Sequence, residues 1–553
     1  MREKNSVWYY FGGGMESFGV HDKAVEKELP DPKDDEVLAR VDAVAICASD
    51  IKMIQMGNEY PLFKNRNFKE DPAVLGHELS LTIEKVGKNL KGRWKKGMRV
   101  GIQPDVYMNG DRYCIGVNVP GGMQKYIMLE KPIFYSDQGE SIFEIDKNLS
   151  YATVAQLEPN ACVEAAYGKW GREDFSWNGS LLIYVGKDGD DAFILDKNLE
   201  HKKIFMISEG EITKKYPENT IKIEMKDIHR VAPDGYNDIL VLGNIESEQL
   251  KEIVGNMNND CVFCWLPSSR SDQIVEVDIA KVHYGKVNWL GSDTKRLSDA
   301  FKKERQRHDL KENGRMLIMG GAGAMGRIHT ARAIMNEKGP RQIVVAARSM
   351  RRLETLMDNF HKMAIQKGKK LQIISTNEHN WKEEMWHLCN REGFDDVVIS
   401  APGTEVVNNA VPFLRKDGMI VLFSGTKYGS YANLPLGYVA SFGARINASS
   451  GSSVENEKAV LNKIENNQCD LNMNVMAIAG FNSIKKAILE VKKGRYPGKV
   501  IIYPQIDDLP IVEIEEIREF DKALYKALVQ GEWSKQAERV LYIKYGKEDK
   551  CHE

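Results

Sequence analysis

Residues 314–334 read GRMLIMGGAGAMGRIHTARAI, an apolar run broken by a glycine-rich turn and followed by a segment of helical composition. The turn carries Gly321-x-Gly323-x-x-Gly326. In such a pattern Gly321 permits the tight turn, Gly323 lets the backbone approach a pyrophosphate, and Gly326 allows close helix packing. Ala324 and Met325 then open a helix whose N-terminus faces the phosphates. The next apolar run, QIVVAA (342–347), leads into Arg348, Ser349, Arg351 and Arg352, where an NAD-preferring site presents a carboxylate to the ribose. A guanidinium and a hydroxyl suit a 2′-phosphate instead. A dinucleotide site is predicted here, with NADP preferred and NAD the alternative, and with Arg348, Ser349 and Arg352 as its ribose-side contacts.

Outward from this turn, apolar runs alternate with helix-forming stretches. LLIYVG (181–186), IFMIS (204–208) and DILVLG (238–243) precede it, and DDVVIS (395–400) and MIVLFSG (419–425) follow. This rhythm predicts α/β architecture with parallel sheets. Residues 35–150 differ. Short strands at 36–46, 79–87, 99–104 and 123–129 are separated by Gly, Pro, Asn and Asp clusters, which predicts a β-rich domain.

The α/β region also repeats itself. YNDILVLG (236–243) matches FDDVVISA (394–401), and YGKVNWLGS (284–292) matches FGARINASS (442–450), both at an offset of 158 residues. Upstream, LLIY (181–184) matches MLIM (316–319) at an offset of 135 residues. Three matches in order point to internal duplication. In the earlier copy Asp188 replaces the second fingerprint glycine and Asp191 the third. Side chains and carboxylates would face the pyrophosphate position, so this module is expected to fold like a Rossmann domain and bind no dinucleotide.

A chain of 553 residues is long enough for about three domains. The patterns divide it into a β-rich domain at 1–171, the degenerate module at 172–310, the dinucleotide-binding domain at 311–480, and a return to the first domain with a helical tail at 481–553. Lys+Arg number 77 against 79 Asp+Glu, a net charge of -2, which gives no basic field for nucleic acid or an anionic membrane. The N-terminus lacks a signal-peptide core and no apolar run reaches membrane-spanning length, so a cytoplasmic protein is expected. Eight cysteines from Cys47 to Cys551 are too few and irregular for a disulfide framework and are expected to be reduced. Cys261 and Cys264, three apart on an expected strand, would point to opposite faces and serve packing.

Three pieces near the N-terminus carry ligand chemistry: ICASD with Cys47, LGHELS with His77 and Glu78, and QLEPNACVEA with Glu158. Thiolate, imidazole and carboxylate are the ligand types of catalytic zinc. Each residue alone has an ordinary structural explanation; their order ahead of the glycine-rich turn does not. The chain resembles the zinc-dependent medium-chain dehydrogenase/reductases, within them the sorbitol-dehydrogenase-like branch. The resemblance rests on C-A-S-D (47–50), G-H-E (76–78), K-G-M-R-V (96–100), P-G-G-M-Q-K-Y (120–126), L-E-P (157–159), the GGAGAMG turn, residues 437–460 and residues 497–510.

The resemblance implies a GroES-like catalytic domain plus a Rossmann domain, and hydride transfer between NAD(P) and a sugar or polyol. It implies that Cys47, His77 and Glu78 hold zinc with Glu158 at the fourth protein position, directly or through water, and that Ser49 relays the substrate proton. Lys52 could meet a substrate hydroxyl or phosphate, or stand solvated. Leu81 replaces the last glycine of the family's G-H-E-x-x-G, and only Cys114 stands where many members have a four-cysteine lobe, so one zinc and no structural zinc is expected. Members commonly dimerise through the last strands of their Rossmann sheets. A covalently attached copy could fill that role, giving a monomeric pseudo-dimer, with a homo-oligomer as the alternative. A zinc-free enzyme of the quinone-reductase kind and a non-catalytic nucleotide-sensing or assembly protein are the competing readings; the Cys47, His77, Glu78, Glu158 set argues against the first.

Overall fold

The run at 36–46 becomes the strand Val37–Ala45, whose alternation is broken by a bulge between Val41 and Ala43. Val37, Ala39 and Val41 join one core while Ala43 and Ala45 join another, because an inserted residue reverses the face that later side chains occupy. In this computed structural model, which describes residues 4–169 and 171–546, that strand is central to a mostly antiparallel sheet. Its order is Val512–Glu513, Val475–Gly480, Lys499–Tyr503, Val37–Ala45, Glu78–Val86, Arg99–Ile102, Ile142–Glu144, with Tyr126–Leu129 also paired to the central strand. Cys551 lies outside the described residues.

Two compact units result: residues 1–161 with 451–553, and residues 162–450. The return to the first unit therefore occurs at Gly451 rather than 481, and the first crossing at 161 rather than 171. The reason is hydrogen bonding: Val475–Gly480 runs parallel to Lys499–Tyr503, which pairs with Val37–Ala45. No helix of the described residues is long and apolar enough to cross a membrane.

The helical tail packs Leu524, Ala527, Trp533, Ala537 and Leu541 onto the core beneath Ile478, Ile501 and Tyr503. Glu538 fastens it. Its carboxylate accepts hydrogen bonds from the amides of Tyr151 (2.6 Å) and Ala152 (3.0 Å) and from the Tyr503 hydroxyl (2.9 Å). It thereby caps the helix Tyr151–Ala155, which precedes the helix Leu157–Ala165 bearing Glu158. Burial raises the Glu538 pKa from 4.5 to about 7, although the hydrogen bonds oppose the rise. Folded protein thus holds a proton that the unfolded chain releases, and this group's contribution to stability falls as pH climbs from about 4.5 to 7. Glu538→Gln is expected to remove a component of up to about 1.4 kcal/mol per pH unit from that slope. Urea unfolding midpoints across the window, unchanged in slope by the substitution, would contradict this.

The second unit holds two six-stranded sheets with every pairing parallel. One is ordered Thr220–Lys222, Lys203–Ser208, Ser180–Val185, Tyr236–Leu242, Met257–Leu266, Asn288–Gly291. The other is ordered Lys370–Ser375, Gln342–Ala347, Arg315–Met319, Phe394–Ile399, Leu414–Leu422, Arg445–Ala448. Both follow the doubly wound order 3-2-1-4-5-6.

The repetition extends to details. Register shifts fall between Tyr236 and Asp238 in one sheet and between Phe394 and Asp396 in the other. Both aspartates are fully buried. Arg172 donates to the Asp238 carboxylate (2.9 Å) and the Asn237 carbonyl (2.7 Å); Arg307 donates to the Asp396 carboxylate (2.5 Å) and the Asp395 carbonyl (3.0 Å). The amides of Ser176 and Lys311 donate to the remaining oxygens at 2.7 and 2.8 Å. Arg172 to Arg307 and Ser176 to Lys311 repeat the offset that relates LLIY to MLIM. Polar contacts of this kind do not recur by chance at the same two spacings as the strands.

One expectation fails in the earlier copy. Strand Ser180–Val185 should lead into a crossover helix, but residues 186–202 contain none. Asp190 instead ties this loop down, accepting from Thr213 (2.7 and 2.8 Å) and Tyr216 (2.9 Å). Cys261 and Cys264 lie in separate cores on the two faces of their sheet, as their spacing on a strand requires.

Candidate metal centre and dinucleotide turn

In the first unit the site begins with Gly76. Its φ of 91° is a left-handed value, and an added Cβ would lie 3.0 Å from Val44 Cγ2 and 3.2 Å from Met123 Cγ. This turn delivers His77 and Glu78 to the start of the strand Glu78–Val86. Cys47 caps the helix Ala48–Met56, its sulfur accepting from the Asp50 amide while Asp50 Oδ2 accepts from the Cys47 amide at 2.9 Å. Asp50 Oδ1 accepts from the Gly76 amide at 3.1 Å and lies 3.7 Å from His77 Nδ1. One buried carboxylate therefore joins the two segments that carry Cys47 and His77.

Ligand atoms of Cys47, His77 and Glu78 all lie within 4.8 Å of one another. Ser49 Oγ is 3.3 Å from His77 Nε2, and Lys52 stands exposed one turn further along the helix. Glu158 is not part of this cluster, yet its charge acts on it. Burial favours the neutral His77 imidazole, but Cys47, Asp50 and Glu158 outweigh burial and raise its pKa. Glu78 is fully buried; Lys499 donates to its Oε1, and its Oε2 has no hydrogen-bond partner. Burial opposes the Lys499 charge, but Glu78 and Cys47 hold it protonated and raise its pKa.

Asp50 and Lys499 received no role from the sequence. Asp50 sits inside the quoted C-A-S-D. Lys499 heads the apolar run KVIIY, where a charge without a buried partner would be costly, and that was the available signal. Leu81 is buried in the core, opposite Val41 and Val100.

In the second unit, the left-handed residue of the glycine-rich turn is Gly320, with φ 74°, one position before the Gly321 expected to supply it. Gly321 is required for space instead, since a Cβ there would lie 2.5 Å from Val345 Cγ1. Gly323 caps the helix Ala324–Met335 and has nothing within 4 Å of an added Cβ. At Gly326 an added Cβ would meet Gly321 O at 2.3 Å, so the helix rests directly on the turn. Arg348 and Ser349 are exposed after the strand Gln342–Ala347, the parallel neighbour of Arg315–Met319, so both turns leave the same sheet edge. Ser349 caps the helix Met350–Gln366, and burial lowers the pKa of Arg352 within its first turn.

Residues 33–135 match the alcohol dehydrogenase GroES-like domain family. This stretch is a GroES-like domain. Around it, the chain is 29% identical over 160 residues to a sorbitol dehydrogenase of Bombyx mori, covering 26% of this chain and 42% of the relative. It is 33% identical over 160 residues to a D-arabitol-phosphate dehydrogenase of Enterococcus avium, covering 26% of this chain and 41% of that one. The chain thus matches less than half the length of these curated relatives. A crystal structure of an Escherichia coli oxidoreductase/dehydrogenase of unknown specificity superimposes with a TM-score of 0.52 at 16% identity, covering 91% of this chain and 99% of the other. That likeness concerns the fold: a GroES-like domain accompanied by Rossmann-type α/β structure.

Proposed function

We propose that the protein is a zinc-dependent oxidoreductase that moves hydride between NAD(P) and the carbinol or carbonyl carbon of a sugar, polyol or sugar phosphate. The observation that carries this reading is the convergence of Cys47, His77 and Glu78, with Glu78 Oε2 buried and lacking a hydrogen-bond partner. A thiolate, an imidazole and a carboxylate within one ligand sphere fit zinc, and the unpartnered oxygen is a group that a cation would satisfy. Cys47, His77 and Glu78 would hold it, and Glu158, whose charge acts on His77, is the proposed fourth position, directly or through water. Bound zinc supplies Lewis acidity that stabilises an alkoxide or polarises a carbonyl.

The remaining steps belong to the chain. Asp50 orients Cys47 and His77, Lys499 neutralises and positions Glu78, and Ser49 takes the substrate proton and passes it outward. Lys52, exposed beside Ser49, is suited to a substrate hydroxyl or phosphate. Gly323 and the start of the helix Ala324–Met335 would receive the pyrophosphate, with Ala324 and Met325 contributing amides. The nicotinamide carries the hydride. A matched relative is named for an arabitol phosphate, which supports including phosphorylated polyols among the substrates to test. Nicotinamide turnover measured against ketoses, polyols and their phosphates, with zinc supplied, is expected to find an active pair. A metal-free preparation with full activity would refute the zinc reading.

We also propose NADP as the preferred cofactor. Arg348 and Ser349 are exposed at the sheet edge beside the glycine-rich turn, and no carboxylate stands at 346–352. Arg348→Asp is expected to weaken NADP binding by about ten- to a hundredfold, the loss of a charge-assisted contact, while leaving NAD nearly unchanged. Equal losses for both cofactors in a fluorescence titration would show that Arg348 does not read the 2′-phosphate. The earlier copy lacks the helix after its first strand and has no such turn, so one dinucleotide per chain is proposed.

A further inference from the structure

Besides its six-stranded sheet, each copy in the second unit contributes one short strand to a shared pair. Val275–Asp278 belongs to the earlier copy and Tyr431–Leu434 to the later, and they run antiparallel. Val275 faces Leu434, Glu276 faces Asn433, Val277 faces Ala432 and Asp278 faces Tyr431. The helices that follow, Ile279–Tyr284 and Leu436–Phe442, begin 157 residues apart. At that offset Glu276 and Asn433 are counterparts, and they face each other. Val275 faces the counterpart of Val277, and Val277 faces the counterpart of Val275. Each strand therefore meets its own equivalent about a two-fold axis, the isologous contact that defines a symmetric dimer, here made within one chain.

The flanking contacts are reciprocal as well. Helix Ile279–Tyr284 packs on strands Leu414–Leu422 and Arg445–Ala448 of the other copy, and helix Leu436–Phe442 packs on Met257–Leu266 and Asn288–Gly291. Close approach accompanies them: an added Cβ at Gly291 would lie 2.6 Å from Ala440 Cα. The last strands of the two sheets lie together, with Arg445 donating to the Trp289 carbonyl at 2.8 Å and to Asn288 Oδ1 at 3.2 Å. Val277, Trp289, Ala432 and Ile446 share one hydrophobic core.

We propose that the earlier copy permanently occupies the face through which the later copy would otherwise bind a second molecule, so that the protein is a monomer in solution. A sheet edge must be paired or covered, and here it is covered by a degenerate copy of itself. The inference rests on register and packing and is independent of the proposed redox chemistry. Sedimentation equilibrium of the intact chain is expected to give 62.6 kDa at all concentrations, with a melting temperature that does not change over a hundredfold dilution. Glu276 and Asn433 are exposed and directly opposed. The pair Glu276→Cys with Asn433→Cys should therefore close a disulfide inside one chain and migrate as a monomer without reductant. A mass of two chains, a melting temperature that rises with concentration, or a covalent dimer from the double variant would overturn the proposal.

Discussion

Cys47→Ser and His77→Ala are each expected to lower bound zinc from about one per chain to near none and to reduce kcat by at least about a thousandfold, with fold retained. The size follows from what the metal would supply, the stabilisation of a developing alkoxide by several kcal/mol, where each 1.36 kcal/mol is a factor of about ten in rate. Neither side chain belongs to the hydrophobic cores, so the loss should appear in metal analysis and turnover rather than in the circular dichroism spectrum. Lys499→Met provides a graded companion. It would leave the buried Glu78 carboxylate without its cation, and zinc affinity should fall less than with either ligand change. Turnover near the unmodified value in a zinc-depleted Cys47→Ser preparation would remove the metal from the mechanism.

The second large effect is expected at Gly326. A valine there would bring its Cβ within 2.3 Å of Gly321 O and 2.4 Å of Gly321 Cα, contacts that only a backbone shift can relieve. The shift would displace the helix Ala324–Met335 from the turn it rests on, and with it the amides meant for the pyrophosphate. Dinucleotide affinity is expected to fall by at least about a hundredfold, because binding at a helix N-terminus depends on aligned amides. Zinc content should be untouched, since the proposed metal ligands lie in the other unit. Unchanged nicotinamide fluorescence titration in Gly326→Val would show that the dinucleotide binds elsewhere.

Features encoded within a few residues were legible from the sequence. The C-A-S-D and G-H-E pieces lie in two segments that the fold brings side by side, and the fingerprint foretold strand, turn and helix in order. Features closed over long distances were not. Glu78 and Lys499 meet across 421 residues, and no local pattern couples them. The bulge that splits Val37–Ala45 between two cores depends on what packs against each face, which alternation alone does not state. The missing helix after Ser180–Val185 was a misreading of kind. KDGDDAFILDKNLE (187–200) carries four aspartates and a glycine where a crossover helix needs a continuous apolar stripe. The duplication was recoverable because strands conserve hydrophobic pattern at fixed spacing, whereas the two-fold register of Val275–Asp278 with Tyr431–Leu434 required the pairing itself.

Arg445 reaches across the internal axis to Trp289 and Asn288, yet at the 157-residue offset of the paired strands its own counterpart is Asn288, a shorter and uncharged side chain that accepts this contact rather than repeating it. In an assembly of identical subunits every amino-acid change is entered on both sides at once, so a contact that gains on one side and clashes on the other is forbidden. Fusion lifts that restriction. Each half can acquire residues the other never sees, and one half can lose its nucleotide turn while keeping only the shape its neighbour requires. The Arg445 contact is a mark of that freedom: symmetry retained in the backbone, and given up residue by residue in the side chains.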